Sequence, residues 1–290
     1  MPVNQEPQTT LNQDKHLIKN RVVIITGASS GIGKALAEQL AASGCRVYAL
    51  ARSLMDDFSG QQEDGGCLCS APLDVTDAVA ANKMVGRIMQ HEQRVDVLIQ
   101  AAGYGLAGSV EATEAFDAAN QIQTNFTGSC TLLPSVLAVM RRQKAGLVVQ
   151  LGSVAGFLPI PFQAIYSASK AAVAALMMAL ANEVKPYGIR CMLVQPGDTR
   201  TGFTAARVCS PADEYLPYAD RARRSIARMS ADEEKGMAAE KMASLIIRRI
   251  NRRKPPLVYT PGLLYKTAAL LRKLLPMRLV NAILYRMYAA

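Results

Sequence analysis

The stretch Arg21-Val-Val-Ile-Ile-Thr-Gly-Ala-Ser-Ser-Gly-Ile-Gly33 decides how this chain is read. Its first six residues form a β-branched run that stops at a glycine, the pattern of a strand buried on both faces in a parallel sheet. Glycines at 27, 31 and 33 let the backbone turn sharply into a helix whose apolar stripe is Ile32, Leu36 and Leu40. Such a turn gathers bare amides and the positive end of a helix at one point, where a pyrophosphate can be held. By itself it reads equally as a tight connection without a ligand.

Working outward, the same alternation repeats. Arg46 to Ala51, Cys67 to Leu73, Val95 to Gln100, Gly146 to Leu151 and Ile189 to Val194 read as further strands. A Gly/Asp/Gln-rich loop precedes Cys67, and helices are expected over Asp77 to Gln90, around Phe116 to Arg142 and over Tyr166 to Tyr187. Strands joined by helices of this length force right-handed crossovers and a parallel sheet covered on both faces. The expectation is an α/β fold: one doubly wound Rossmann domain of about seven strands over residues 21–260. Residues 1–20 read as a flexible leader, 198–240 as a charged lid, and 261–290 as a C-terminal helical extension.

The chain has 290 residues and a net charge of +10. That charge is not spread evenly. Residues 1–240 hold 22 basic and 23 acidic side chains, whereas the last fifty hold 11 basic and none acidic. The main domain is therefore near neutral, which argues against nucleic acid as a partner. Six cysteines lack zinc spacing and read as reduced thiols of a cytoplasmic protein; no metal site is expected.

The second strand ends Ala49-Leu50-Ala51-Arg52-Ser53. A dinucleotide site selective for NAD usually places a carboxylate there for the ribose hydroxyls. Here Arg52 can form charge-assisted bonds to a 2′-phosphate, with Ser29 as a neutral donor from the loop, so the cofactor expected is NADP(H). A solvated surface cation is the blander reading of Arg52.

Tyr166-Ser-Ala-Ser-Lys170 sets a phenol and an ammonium on one helix face. A neighbouring cation favours phenolate, so Lys170 is expected to lower the Tyr166 pKa and let it act as a general acid or base. Ser153 ends a strand thirteen residues earlier, where an open sheet presents its ligand-facing groups. Its hydroxyl and that of Tyr166 are the substrate-binding candidates.

Between Arg21 and Thr201 the chain resembles the classical short-chain dehydrogenases/reductases. The loop glycines Gly27, Gly31 and Gly33, the Asp74-Val75 pair, Gln100-Ala-Ala-Gly103, Asn125, Ser153, the Tyr166 and Lys170 pair, and Pro196-Gly197 with Thr201 stand in that family's order. The resemblance implies catalysis by Asn125, Ser153, Tyr166 and Lys170. It implies a cofactor site built from Gly27, Ser29, Ser30, Gly31, Ile32, Gly33, Arg52, Ser53, Asp74, Val75, Ala102, Gly103, Tyr166, Lys170, Pro196, Gly197, Thr199 and Thr201. Lys170 would also bind the nicotinamide ribose, and Asn125 would hold a water passing protons from Lys170. Gln100 replaces the usual asparagine, which puts local bracing of the central strands in question.

Phe157, Leu158, Ile160 and Phe162, with Phe203, Val208, Tyr215, Leu216 and Tyr218 of the lid, read either as an apolar pocket for a lipophilic carbonyl or alcohol or as ordinary core. Arg221, Arg223, Arg224 and Arg228 keep open a 3-oxoacyl-thioester reductase that meets an acidic carrier protein, and a non-catalytic NADPH sensor is a third reading. Leu257 to Tyr288 mixes leucines with cations, and Pro276 splits it into two helices too short to cross a bilayer. Peripheral membrane contact, a pocket cover and a subunit interface are the alternatives there. Surplus apolar residues Leu132, Leu133, Val136, Met177 and Met178, with the resemblance, point to a homodimer or homotetramer.

Overall fold

The structure, a computed structural model, describes residues 19–63, 66–210 and 216–290. Most of the expected leader, residues 1–18, and Tyr215 of the expected pocket lie outside these. Lys19 and Asn20 belong to the fold: the Asn20 amide donates to the Gly44 carbonyl at 2.8 Å.

Strand β1 (Val22–Thr26) is buried along its whole length, as its β-branched sequence requires. Helix α1 (Gly31–Ala42) returns the chain to β2 (Arg46–Leu50), which pairs parallel with β1. The next element corrects the reading of a loop. Asp57–Glu63 is a strand, β3, antiparallel to β4 (Gly66–Ala71) at the sheet edge. Its polar composition hid it, yet polar side chains suit an edge that faces water. Phe58 anchors it, with its ring 5.1 Å from that of Tyr48 and the Arg87 guanidinium 3.7 Å from its centre.

Helix α2 (Ala78–Glu92), capped by the Asp77 carboxylate, leads to β5 (Val97–Gln100) and a short β6 (Leu106–Ala107). The expected single helix around Phe116 to Arg142 is interrupted. Helix α3 (Ala115–Ile122) passes through a π-turn (Gln123–Thr127) into α4 (Gly128–Thr131), and Pro134 opens a new helix, α5 (Leu133–Gln143). Proline lacks the N–H that would carry the earlier ladder onward. The π-turn holds Asn125, and such turns recur at functional sites.

After β7 (Gly146–Leu151) comes the long helix α6 (Ala164–Val184), then β8 (Ile189–Val194). The lid region is ordered in its described parts. It contains β9 (Thr199–Arg200), β10 (Val208–Cys209), α7 (Ala219–Glu234) and β11 (Met237–Ala238). Helix α8 (Ala239–Ile250) and β12 (Val258–Tyr259) complete the sheet, and α9 (Leu263–Leu274) and α10 (Met277–Tyr288) follow on either side of Pro276.

The sheet has eight strands in the order β12-β8-β7-β5-β1-β2-β4-β3, all parallel except β3. The order reverses between β1 and β5, which opens a crevice at their C-terminal ends. Two apolar layers hold it. Leu36 and Leu40 of α1 meet Ile246 and Ile250 of α8 on one face; Ile88, Val136, Met140, Met177 and Leu180 cover the other. Burying one such leucine or isoleucine stabilises the fold by about 1.5–3 kcal/mol.

One expectation changes here. Leu132, Leu133, Val136 and Met177 are core residues of the single chain, with Met178 packed against them, so they are not a surplus reserved for an interface. Ala164–Tyr187, the one span among the described residues long and apolar enough to cross a membrane, carries Tyr166 and Lys170 and packs Val173, Met177 and Leu180 inward.

Candidate active site

The crevice is floored by the glycine loop. Gly27 has φ +68°, and a Cβ there would stand 2.5 Å from the Ala102 amide nitrogen. A Cβ on Gly33 would overlap the Gly27 carbonyl, and Gly31, at φ +55°, lies against Thr201. Loop, Ala102 turn and Thr201 segment are thus brought together around a space that only bare backbone leaves open. Ser30 sits at the N-cap of α1 with no side-chain cap bond, and no acidic residue stands in the first turn. Ser29 and Ser30 are exposed, and Ile32 is half-buried. The positive helix end is therefore free to meet an anion, and the donor set suits a dinucleotide pyrophosphate.

Arg52 and Ser53 are exposed just past β2. Asp74, past β4, accepts from the Thr76 amide at 2.9 Å and the Thr76 hydroxyl at 2.8 Å. The amide bond, above all, holds its carboxyl below the usual range, and the Arg52 charge acts in the same direction. Arg52 and Asp74 thus share one electrostatic neighbourhood at the end of the sheet. Val75 is buried, and its carbonyl accepts from Thr131 at 2.9 Å.

The four catalytic candidates converge at the ends of β5 and β7. The Ser153 side chain stands beside the Tyr166 phenol and acts to lower its pKa. The Ser153 oxygen accepts from the Ala155 amide at 3.1 Å, which fixes its direction. The Lys170 ammonium donates to the Leu151 carbonyl at 3.0 Å and lies 5.7 Å from the Tyr166 ring centre. Asn125 is fully buried. Its amide group donates to the Tyr104 carbonyl at 3.0 Å and to Ser169 at 3.1 Å, and its oxygen accepts from the Tyr104 amide at 3.0 Å. Both amide protons are thereby committed to the protein, so the Asn125 side chain braces the Gly103–Tyr104 turn against α6.

Burial also reverses one electrostatic expectation. The Tyr166 phenol is pushed up to about 12 by desolvation, which outweighs the lowering effect of Ser153. Lys170 is pushed down to about 8 by the same cause. A buried ammonium next to a buried phenol suffers the loss of water as much as its neighbour does. The phenol is held protonated at neutral pH.

Gln100 keeps the bracing that its replacement put in question. It donates to the Ser129 carbonyl from the middle of the sheet, although its own Oε1 has no partner among the described residues. Beyond β8, Pro196 is buried, Thr199 donates to the Gly197 carbonyl at 2.9 Å, and Thr201 accepts from the Phe203 amide at 3.1 Å. The Phe203 ring lies 5.6 Å from that of Tyr166, which supplies an apolar wall. Phe162 has φ +61°, a left-handed conformation unusual for an aromatic residue, and its carbonyl accepts from Gly108.

Some participants escaped the sequence reading. Tyr265, from α9, lays its ring where a Gly197 side chain would go; its hydroxyl donates to the Asp198 carboxylate and accepts from the Asp198 amide at 3.0 Å. No local signal links residues so far apart. A buried Arg207–Glu233 ion pair also bears on the Tyr166 phenol, Glu233 raising and Arg207 lowering its pKa. Of the four lid arginines, Arg221 donates to the Ala289 carbonyl at 2.8 Å, Arg223 pairs with Asp220 and Arg228 with Asp232. Arg224 is exposed, as are the guanidinium groups of Arg223 and Arg228.

A nucleotide cradle beside a serine, tyrosine and lysine at the switch point of a doubly wound sheet defines a dinucleotide-dependent oxidoreductase. The family model described as short chain dehydrogenase matches residues 21–210, and the chain belongs to that family of oxidoreductases acting on CH–OH groups with a nicotinamide cofactor. It is 36% identical over 237 residues to a 3-ketodihydrosphingosine reductase of Bacteroides thetaiotaomicron, covering 81% of this chain and 86% of that one. It is 35% identical over 208 residues to the human 17-beta-hydroxysteroid dehydrogenase type 1, covering 69% and 62% respectively. A solved short-chain dehydrogenase from Streptomyces avermitilis superposes with a TM-score of 0.75 at 29% identity, covering 88% of this chain and 93% of that one.

Proposed function

We propose that the chain interconverts a ketone and a secondary alcohol on a lipophilic, steroid-like, sphingoid-like or fatty-acyl-like substrate, with NADP(H) as cofactor. The observation that carries this reading is the convergence of Ser153, Tyr166 and Lys170 beside the glycine cradle. When bound, the nicotinamide supplies or accepts the hydride. Gly27, Ser29, Ser30, Gly31, Ile32 and Gly33 would hold the pyrophosphate, Arg52 and Ser53 the 2′-phosphate, and Asp74 and Val75 the adenine. Ala102, Gly103 and Lys170 would hold the nicotinamide ribose, and Pro196, Gly197, Thr199 and Thr201 the nicotinamide end.

Ser153 would hold the substrate oxygen while the Tyr166 hydroxyl gives it a proton, a general-acid contribution of about 10²–10⁴-fold. Phe203 beside Tyr166, and the sphingoid and steroid enzymes among the relatives, support a lipophilic substrate. Assembly as a homodimer or homotetramer is proposed from the habit of the family.

The test is Tyr166→Phe, assayed by NADPH absorbance on a sphingoid 3-ketone, a steroid ketone and a carrier-linked 3-oxoacyl chain. Loss of turnover with unchanged NADPH affinity is expected. Retained turnover would remove the acid–base assignment, and an inert wild type that binds NADPH would favour the sensor.

A further inference from the structure

The two C-terminal helices wear their apolar sides outward. No residue of α9 is buried, and Leu263, Leu264, Leu270, Leu271 and Leu274 are 80%, 71%, 58%, 50% and 70% exposed. At helical spacing these five share one arc, opposite the side from which Tyr265 and Arg272 face the protein. Helix α10 buries Val280 and Leu284 but leaves Leu279, Ile283 and Met287 outward, spaced four apart. Scattered surface leucines need no explanation; a contiguous apolar face does.

The charge on the same helices narrows what can cover that face. Lys266, Arg272, Lys273, Arg278 and Arg286 are its ionised groups, and residues 261–290 contain no Asp or Glu. Lys266 and Lys273 both border one edge of the leucine arc of α9. A second copy of this chain is disfavoured as the cover, because a two-fold contact would set these cations against their own images with no carboxylate to meet them. Each helix has 12 residues, about 18 Å, well short of the roughly 30 Å needed to cross a bilayer. An apolar face bordered by cations is complementary to an anionic lipid surface.

We propose that α9 and α10 dock in the plane of an anionic phospholipid bilayer and that the chain takes its substrate from it; the second clause rests on the lipophilic-substrate reading above. The docking face is tied to the site at both ends. Tyr265 reaches from α9 to Asp198, beside Gly197. The Ala289 carbonyl, just past α10, holds Arg221 at a cleft of about 550 Å³ lined by Pro161, Phe162 and Tyr218, on the loop that follows Ser153 and on the lid.

The test is co-sedimentation of the full chain with phosphatidylcholine vesicles, with and without phosphatidylglycerol. Binding to the anionic vesicles, weakened by salt, is expected. Lys266→Glu with Lys273→Glu should weaken it by more than about 25-fold, since each lost cation removes about fivefold and the added carboxylates are repelled by the anionic surface. Leu264→Glu with Leu271→Glu should abolish it. All four side chains are exposed, so melting and turnover of a small water-soluble ketone should match the parent. Absent binding, binding indifferent to these changes, or sedimentation velocity showing that the outward leucines join two copies would overturn docking. Substrate uptake is read separately: with a lipid ketone in vesicles the charge reversals should raise KM at unchanged kcat, and with the ketone in detergent they should change neither. Vesicle binding without turnover of any lipid ketone would sink the substrate reading and leave docking standing.

Discussion

Lys170→Met offers a measurement in which stability and activity part company. Burial lowers the Lys170 ammonium from 10.5 to about 8, so the folded chain carries a penalty of about 3 kcal/mol at neutral pH for keeping that cation out of water. A base with a depressed folded-state pKa contributes stability above its unfolded value, and that contribution is lost as pH falls through the folded one. Between about pH 10.5 and pH 8 the parent therefore loses stability, and below about pH 8 the penalty is complete. Methionine fills similar space without a charge. Against this gain stands the bond from Lys170 to the Leu151 carbonyl at 3.0 Å, whose loss costs about 1–2 kcal/mol. The variant should be more stable than the parent by about 1–2 kcal/mol near pH 7, a few degrees in Tm, and less stable by a similar amount above about pH 10.5. Urea melts of both proteins across this range, with turnover recorded in parallel, make the comparison. Turnover should collapse at every pH. A stability difference that does not change sign with pH would refute the reasoning, because it would mean that Lys170 is not held in a desolvating site.

Arg52→Ala should weaken NADPH binding about 10- to 100-fold, the worth of a charge-assisted bond, and leave NADH nearly unchanged; equal losses for both would remove the phosphate assignment. Gly33→Ala should leave a folded chain with little cofactor affinity, since the added methyl meets the Gly27 carbonyl, and cofactor titration by fluorescence reads the loss. Tyr265→Phe strips the Asp198 amide and carboxylate of their shared partner, so it should lower stability by about 1–3 kcal/mol and raise the cofactor KM more than it lowers kcat. Because the Tyr265 bond opposes the upward push of burial on Asp198, the same variant should show the Asp198 carboxyl titrating at higher pH, which carboxyl-labelled NMR can follow.

Where a segment is buried on both faces, its residues alone were enough to place it. Val22–Thr26, Gly146–Leu151 and Ile189–Val194 lie where the mostly apolar runs begin and end, because a strand covered by helices on both sides is built chiefly of apolar residues, with Gln150 and Arg190 as polar exceptions. The glycine cradle and the Tyr166 and Lys170 pair were legible for a similar reason. Their spacing is set by local backbone geometry, a left-handed turn in one case and a single helical turn in the other. At the edge this logic lapses: Asp57–Glu63 owes its strand to hydrogen bonds from β4 and carries no pattern of its own.

The local pattern of residues determined the doubly wound architecture, the choice of the proposed catalytic groups and the concentration of cation in the last fifty residues. Only the tertiary structure decided how those groups titrate, since desolvation depends on everything packed around Tyr166 and Lys170 and not on their separation along the chain. It alone turned the leucines of α9 outward and carried Tyr265 back to Asp198, a contact across 67 positions that no periodicity encodes.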